Sequence, residues 1–165
     1  MRKSYGLFAP IERRDAHRRS PWPLKRKKRR PRGGVDTSVL GAGISGFRKP
    51  YVRGKNSSAD LPHRWAEKND FVWLVTEDIL VEYKEVLKRL SVRSHVIGSV
   101  INFIRGRAER VGVRASFEIS PDPEDDPFCL GSEKGSSDFI VTLNPNDFPQ
   151  ERLRAWVIAP VALAG

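Results

Sequence analysis

A chain of 165 residues, 39% of them hydrophobic, is long enough for one domain with a buried core and some excess. Its single cysteine, Cys129, excludes an internal disulfide, and no apolar run reaches the length a membrane-spanning helix needs. The net charge of +10 sits at one end: residues 1–34 hold 13 Lys or Arg against 2 acids, a net of +11, leaving 17 basic and 18 acidic residues in 35–165, a net of −1. That basic, proline-rich leader, with its run Lys25 to Arg30, reads as disordered. It can be a solvated tail, an upstream extension, or an arm that contacts nucleic acid. The first residues lack the unbroken apolar core of a secretory signal, so the expected location is cytoplasmic. The domain division expected is therefore a leader over 1–34 and a folded unit over 35–165.

Val35–Leu40, VDTSVL, reads as a first strand, and Asp36 within it needs a reason because aspartate is depleted from strand interiors. The next six residues, Gly41 to Gly46, match GxGxxG letter for letter. In a dinucleotide-binding fold that motif must open a helix packed on the strand. Phe47-Arg48-Lys49-Pro50, Gly54 and Ser57-Ser58 read instead as a loop running to about Ala59. A helix is expected over Ser58–Lys68, with Leu61, Trp65 and Ala66 on one side, then a strand over Phe71–Val75.

Thr76 is placed to cap a helix whose first turn carries Glu77 and Asp78. Ile79, Leu80, Tyr83, Val86, Leu87 and Leu90 form its apolar stripe. At ~100° per residue Glu82 lies about 40° outside that stripe, while Glu85 and Lys88 point further toward solvent. Glu82 can therefore either sit at the surface or reach a cleft. Ser94–Val111 gives a second strong helix, and Ala115–Ile119 a strand.

Asp122, Glu124, Asp125 and Asp126 then crowd into five positions ahead of a short helix expected over Asp126–Lys134. Like charges so close repel unless a cation neutralises them, and clustered carboxylates suit a hard divalent ion. Asp126-Pro127 can equally be an N-cap with proline at the first helical position. Phe139–Thr142 and Trp156–Ala159 read as further strands, with Asn144 and Asp147 following the first of them. Strands alternating with helices imply a parallel sheet covered on both faces, with ligands gathering outside the strands' carboxyl ends. Asp36, Asp126 and Asp147 lie at or after strand ends, and Glu82 lies in the helix after the second strand. Four acids would then meet at one mouth, which favours the metal over the cap.

In this order and spacing, DTSVL, TEDILVEYKEVL, DPEDDPFCL and FIVTLNPNDFP resemble a PIN domain over about residues 35 to 160. The resemblance is greatest to the toxin component of bacterial toxin–antitoxin systems. It implies a three-layer α/β/α fold around a central parallel sheet of four to five strands, and a Mg²⁺- or Mn²⁺-dependent endoribonuclease. Its metal-binding and catalytic acids fall on Asp36, Glu82, Asp126 and Asp147. Thr37 or Ser38 would orient the first carboxylate, Asn144 fills the small polar position after the fourth strand, and Asp122 and Asp125 stand by as supporting acids. An RNA substrate and a small antitoxin partner are implied, and a homodimer is allowed.

Two departures from the family pattern stand out: Arg30-Pro31-Arg32-Gly33-Gly34 precedes Val35, where an apolar strand is usual, and Gly131 and Ser132 replace alanines. Both weaken their elements. The chemistry implied is hydrolysis by metal-activated water, which needs no serine or cysteine nucleophile. His17, His63 and His95 receive no role. Arg48, Lys49, Arg53 and Lys55 on the first loop are candidates for holding the RNA strand, unless the loop is merely solvated. A different class of reading is an inactive PIN-like module that binds RNA or a protein partner.

Overall fold

The computed structural model describes residues 29–112 and 126–163, with Asp126 described through its backbone alone. Among them, strands β1 (Arg32–Val35), β2 (Val72–Val75), β3 (Glu109–Arg110), β4 (Phe139–Val141) and β5 (Trp156–Ile158) form one all-parallel sheet in the order β3-β2-β1-β4-β5. Helices α1 (Thr37–Ala42), α2 (Ser57–Lys68), α3 (Glu77–Arg89), α4 (Ser94–Arg107), α5 (Asp126–Lys134) and α6 (Pro160–Leu163) flank it. The step from β1 to β2 runs one way and that from β3 to β4 the other, so right-handed crossovers place helices on both faces. This is the expected three-layer α/β/α architecture. No helix among the described residues is long and apolar enough to cross a membrane.

The first strand differs from its expected position. β1 ends at Val35, and Thr37 begins a helix, because Asp36 occupies the N-cap position and its carbonyl accepts from Val39 N and Leu40 N at 3.1 Å. Arg32, Gly33 and Gly34 thus belong to the central strand, and a boundary drawn after residue 34 falls inside β1. Gly33 has a packing reason: a Cβ there would stand 2.3 Å from the Phe139 ring. The aromatic side chain of β4 covers the bare backbone of β1, so the glycine permits the contact instead of weakening the strand.

Glycines of the GxGxxG match are also packing glycines. No helix opens at Gly46, which lies in a 3₁₀ turn over Ile44–Phe47. A Cβ on Gly43 would come 2.0 Å from Ser58 O, and one on Gly46 2.0 Å from Ala59 O. The glycines let this segment lie directly on the backbone of α2, and the dinucleotide reading has no structural support.

α3 starts as expected, with Thr76 Oγ1 accepting from Ile79 N at 3.1 Å and Glu77 and Asp78 in the first turn. α4 stops at Arg107, four residues early. Ala108 turns extended (φ −71°, ψ 157°), Glu109–Arg110 form β3, and Val111 N donates to Val75 O at 2.8 Å. The strand expected over 115–119 lies outside the described residues. Gly131 packs against the head of α3, with Thr76 and Ile79 only 3.1 and 3.2 Å from its would-be Cβ, and Ser132 is buried and bonded to Ser137. The two residues that depart from alanine in α5 therefore serve close approach and a buried hydrogen bond. Trp65, Phe71, Trp73, Tyr83, Phe128 and Phe139 are buried at the centre of the core, Trp65 and Trp73 meeting edge-on at 4.7 Å.

At the amino edge of the sheet the last cations of the basic segment are tied down. Arg29 pairs with Asp138 at 3.2 Å, Arg30 donates to Asn69 O at 3.0 Å, and Arg32 forks onto Glu109 with two 2.7 Å bonds. Those bonds hold the Glu109 carboxyl below its usual range and the Arg32 guanidinium above its own.

Candidate active site

Parallel strands put Val35, Val75, Val141 and Ile158 at one edge, and the register pairs Val35 with Val141. The chain therefore leaves β1 at Asp36 beside the point where it leaves β4 at Thr142. Asp36 is 2% exposed, and its amide donates to Val141 O at 2.9 Å. Although it stands at the N-cap of α1, its side chain makes no cap bond. The carboxylate turns instead to three hydroxyls: Ser38 Oγ donates to Oδ2 at 2.6 Å, Thr142 Oγ1 to the same oxygen at 2.8 Å, and Thr37 Oγ1 to Oδ1 at 3.4 Å.

The same hydroxyls hold the loop that follows β4. Ser38 Oγ accepts from Leu143 N at 3.1 Å, and Thr142 Oγ1 from Asn144 N at 2.9 Å. Each hydroxyl thus accepts a hydrogen bond from a backbone N–H and donates one to Asp36, which locks the carboxylate and the loop together. Asn144 is exposed and enters through its backbone amide. Asp147 closes the 3₁₀ turn Pro145–Asp147, half-buried, just before the buried Phe148.

Glu82 is half-buried on α3, next to the fully buried Tyr83, while Glu85 is exposed and pairs with Lys88 at 3.6 Å. The Tyr83 hydroxyl donates to Val35 O and accepts from Trp73 Nε1 at 3.1 Å. Burial pushes its proton affinity up and the neighbouring Asp36 charge adds to this, so the hydroxyl stays a donor. Asp126 is the first residue of α5. The carboxyl end of α5 lies at the amino edge of β1, where Gly135 O accepts from Arg32, and Gly131 meets Thr76 just past β2. The helix therefore runs against the strands and opens at their carboxyl edge. Phe128, two residues in, packs on Tyr83 at 5.9 Å.

Asp36, Asp126 and Asp147 thus stand on segments that begin at the carboxyl edge, and Glu82 on the helix tied to the end of β1. The side chain of Asp126, and Asp122 and Asp125 entirely, lie outside the described residues. Among the described residues no group of three His, Cys, Asp or Glu side chains converges as a metal cage. The donor chemistry at Asp36 nevertheless suits a hard divalent ion: it is a buried carboxylate whose partners are neutral hydroxyls, with no cation beside it among the described residues. A buried charge left so is costly, and oxygen ligands of this kind are those Mg²⁺ and Mn²⁺ take.

Arg48, Lys49, Arg53 and Lys55 are exposed on the segment between α1 and α2. His63 lies 3.4 Å from Glu67, and His95 is exposed at the start of α4. His17 lies outside the described residues. Two further residues, Thr142 and Tyr83, belong to the site through their bonds to Asp36 and Val35. Thr142 shows in the sequence only as a hydroxyl closing an apolar run, and the pairing of that run with β1, which gives it a part, is seen in the structure alone. Tyr83 had only its place among aliphatic neighbours on a buried stripe.

A family model described as PIN domain matches residues 35–146, which include Asp36, Glu82 and Asp126 and stop one residue short of Asp147. No curated protein and no solved structure matches the chain.

Proposed function

The chain belongs to the PIN domain family, and from that premise we propose that it is a divalent-metal-dependent endoribonuclease, the toxin of a toxin–antitoxin pair. PIN domains are nucleases as a class. The observation that carries the finer reading is Asp36: a buried carboxylate at the carboxyl edge of a parallel sheet, held by hydroxyls and facing no cation among the described residues.

Asp36, Glu82, Asp126 and Asp147 are the acids that would hold Mg²⁺ or Mn²⁺ in this reading, not all of them directly, since Mg²⁺ keeps several waters. Bound there, the ion would lower the pKa of a water so that it could attack phosphorus once deprotonated, and would neutralise charge on the phosphodiester. The protein's own part is orientation. Ser38 and Thr142 fix the Asp36 carboxylate in one rotamer, and the same two hydroxyls hold the loop leading to Asp147. No serine or cysteine nucleophile takes part. Asp122 and Asp125 are supporting acids. The reading carries with it an RNA substrate, a small antitoxin partner, cytoplasmic residence and room for a homodimer.

Single-stranded RNA is expected to be cut by the purified chain in Mg²⁺ or Mn²⁺ and left whole in EDTA. Asp36→Asn and Asp126→Asn should each abolish cleavage with the circular dichroism spectrum unchanged. RNA that is bound but never cut by the wild type, with either ion, would mark a binding module instead.

A further inference from the structure

We infer that Tyr83 is a positioning residue for the acidic mouth: its bond to the Val35 carbonyl sets how the helix carrying Glu82 sits against the strand that leads into Asp36. The inference rests on the metal-dependent reading above and names a residue on which that site depends.

The peptide joining Val35 to Asp36 is held from both sides. Its carbonyl accepts from the Tyr83 hydroxyl, and its N–H donates to Val141 O at 2.9 Å. That plane fixes the direction in which the Asp36 side chain leaves the backbone. Tyr83 is fully buried, and its ring lies 5.9 Å from Phe128 and 6.2 Å from Trp73. Tyr83 and two of its neighbours stand close in sequence to an acid: Glu82 precedes Tyr83, Asp36 follows Val35, and Asp126 lies two residues before Phe128. One side chain thus touches the three elements that carry Asp36, Glu82 and Asp126.

Filling space does not require a tyrosine here. Ile79, Leu80 and Leu87 cover the same buried face of α3 with hydrocarbon alone. A hydroxyl among them must find partners, because a buried polar group without one is destabilising. Both its partners are directional: Trp73 Nε1 fixes the phenol, and the phenol fixes the Val35 carbonyl. The bond to Val35 is the one that reaches the site, so loosening the aromatic cluster without touching the hydroxyl separates packing from positioning.

Tyr83→Phe removes the hydroxyl and keeps the ring. Mn²⁺ binding, read by electron paramagnetic resonance of the free ion without RNA, should weaken about tenfold, the low end for a group that orients a metal ligand. Phe71→Leu loosens the same aromatic cluster but leaves both bonds of the Tyr83 hydroxyl, and should bind Mn²⁺ as the wild type does. Should Phe71→Leu fail to fold, Leu87→Val on the same buried face of α3 provides the same control. Unchanged Mn²⁺ affinity in Tyr83→Phe, or an equal loss in variant and control, overturns the positioning role while the metal reading stands. A wild type that binds no Mn²⁺ overturns the metal reading itself, and this inference with it.

Discussion

At the scale of single residues, Asp36 combines burial, charge and an absence of cationic partners among the described residues, and two hydroxyls make that arrangement specific. Thr142→Val should therefore do more than leave a small gap. It strips a donor from Asp36 and an acceptor from Asn144 N, so chemical denaturation should show a loss of about 1–3 kcal/mol, while Thr142→Ser stays near wild type. Glu82 and Glu85 make a second contrast on one helix. Glu82→Gln should impair RNA cleavage and Glu85→Gln should not, because only Glu82 borders the buried face. Equal effects in a cleavage assay would show that α3 does not present Glu82 to the site. Asp36 was legible in the sequence because an acid beside an apolar run is chemically out of place. Thr142 was not, because its meaning depends on which strand lies alongside, and pairing is a long-range fact.

At the scale of elements, glycine is what separates the sequence reading from the structure. The four residues after Asp36, Thr37 to Leu40, read as a strand because periodicity cannot distinguish a short buried helix from a short buried strand. The glycines ahead of Val35 read as weakness because the Phe139 ring that needs them is over a hundred residues away in the chain. Gly33→Ala should cost about 1–3 kcal/mol through overpacking against that ring. Gly34→Ala, one residue on, meets nothing within 4 Å and should change the melting temperature little. Gly46→Ala should be worse than Gly33→Ala, since its would-be Cβ meets the backbone of α2 and no side chain can rotate away. β3 escaped notice because two residues carry no period. α3, with a cap, an acidic first turn and a long stripe, was legible almost to the residue.

At the scale of the molecule, the parallel sheet followed from the alternation of strands and helices, and the carboxyl edge then located the acids. The opposite edge, with its ionic contacts, is not legible in the sequence, because Arg32 reads there as part of a one-sided basic block. The Arg32–Glu109 pair gives a pH-dependent prediction. Glu109 is held below its usual range, so its stabilisation is full above the ordinary carboxylate value of about 4.3 and disappears as pH falls through its lowered folded value. Glu109→Gln should lower stability by at most about 1 kcal/mol at pH 7, the pair being partly exposed, and the gap in thermal unfolding should close in acid. Truncation tests the same edge: a chain beginning at Arg29 keeps every contact described and should fold, whereas one beginning at Val35 lacks three residues of the central strand and should not.

The central claim is that the Asp36 carboxylate belongs to a metal-binding mouth at the carboxyl edge of the sheet. Crystals grown with Mn²⁺ and measured at the manganese absorption edge test it directly. The prediction is an anomalous peak in bonding contact with the Asp36 carboxylate, lost in Asp36→Asn. Ordered crystals with no peak at Asp36, or with manganese only at the Arg32–Glu109 edge, would contradict it.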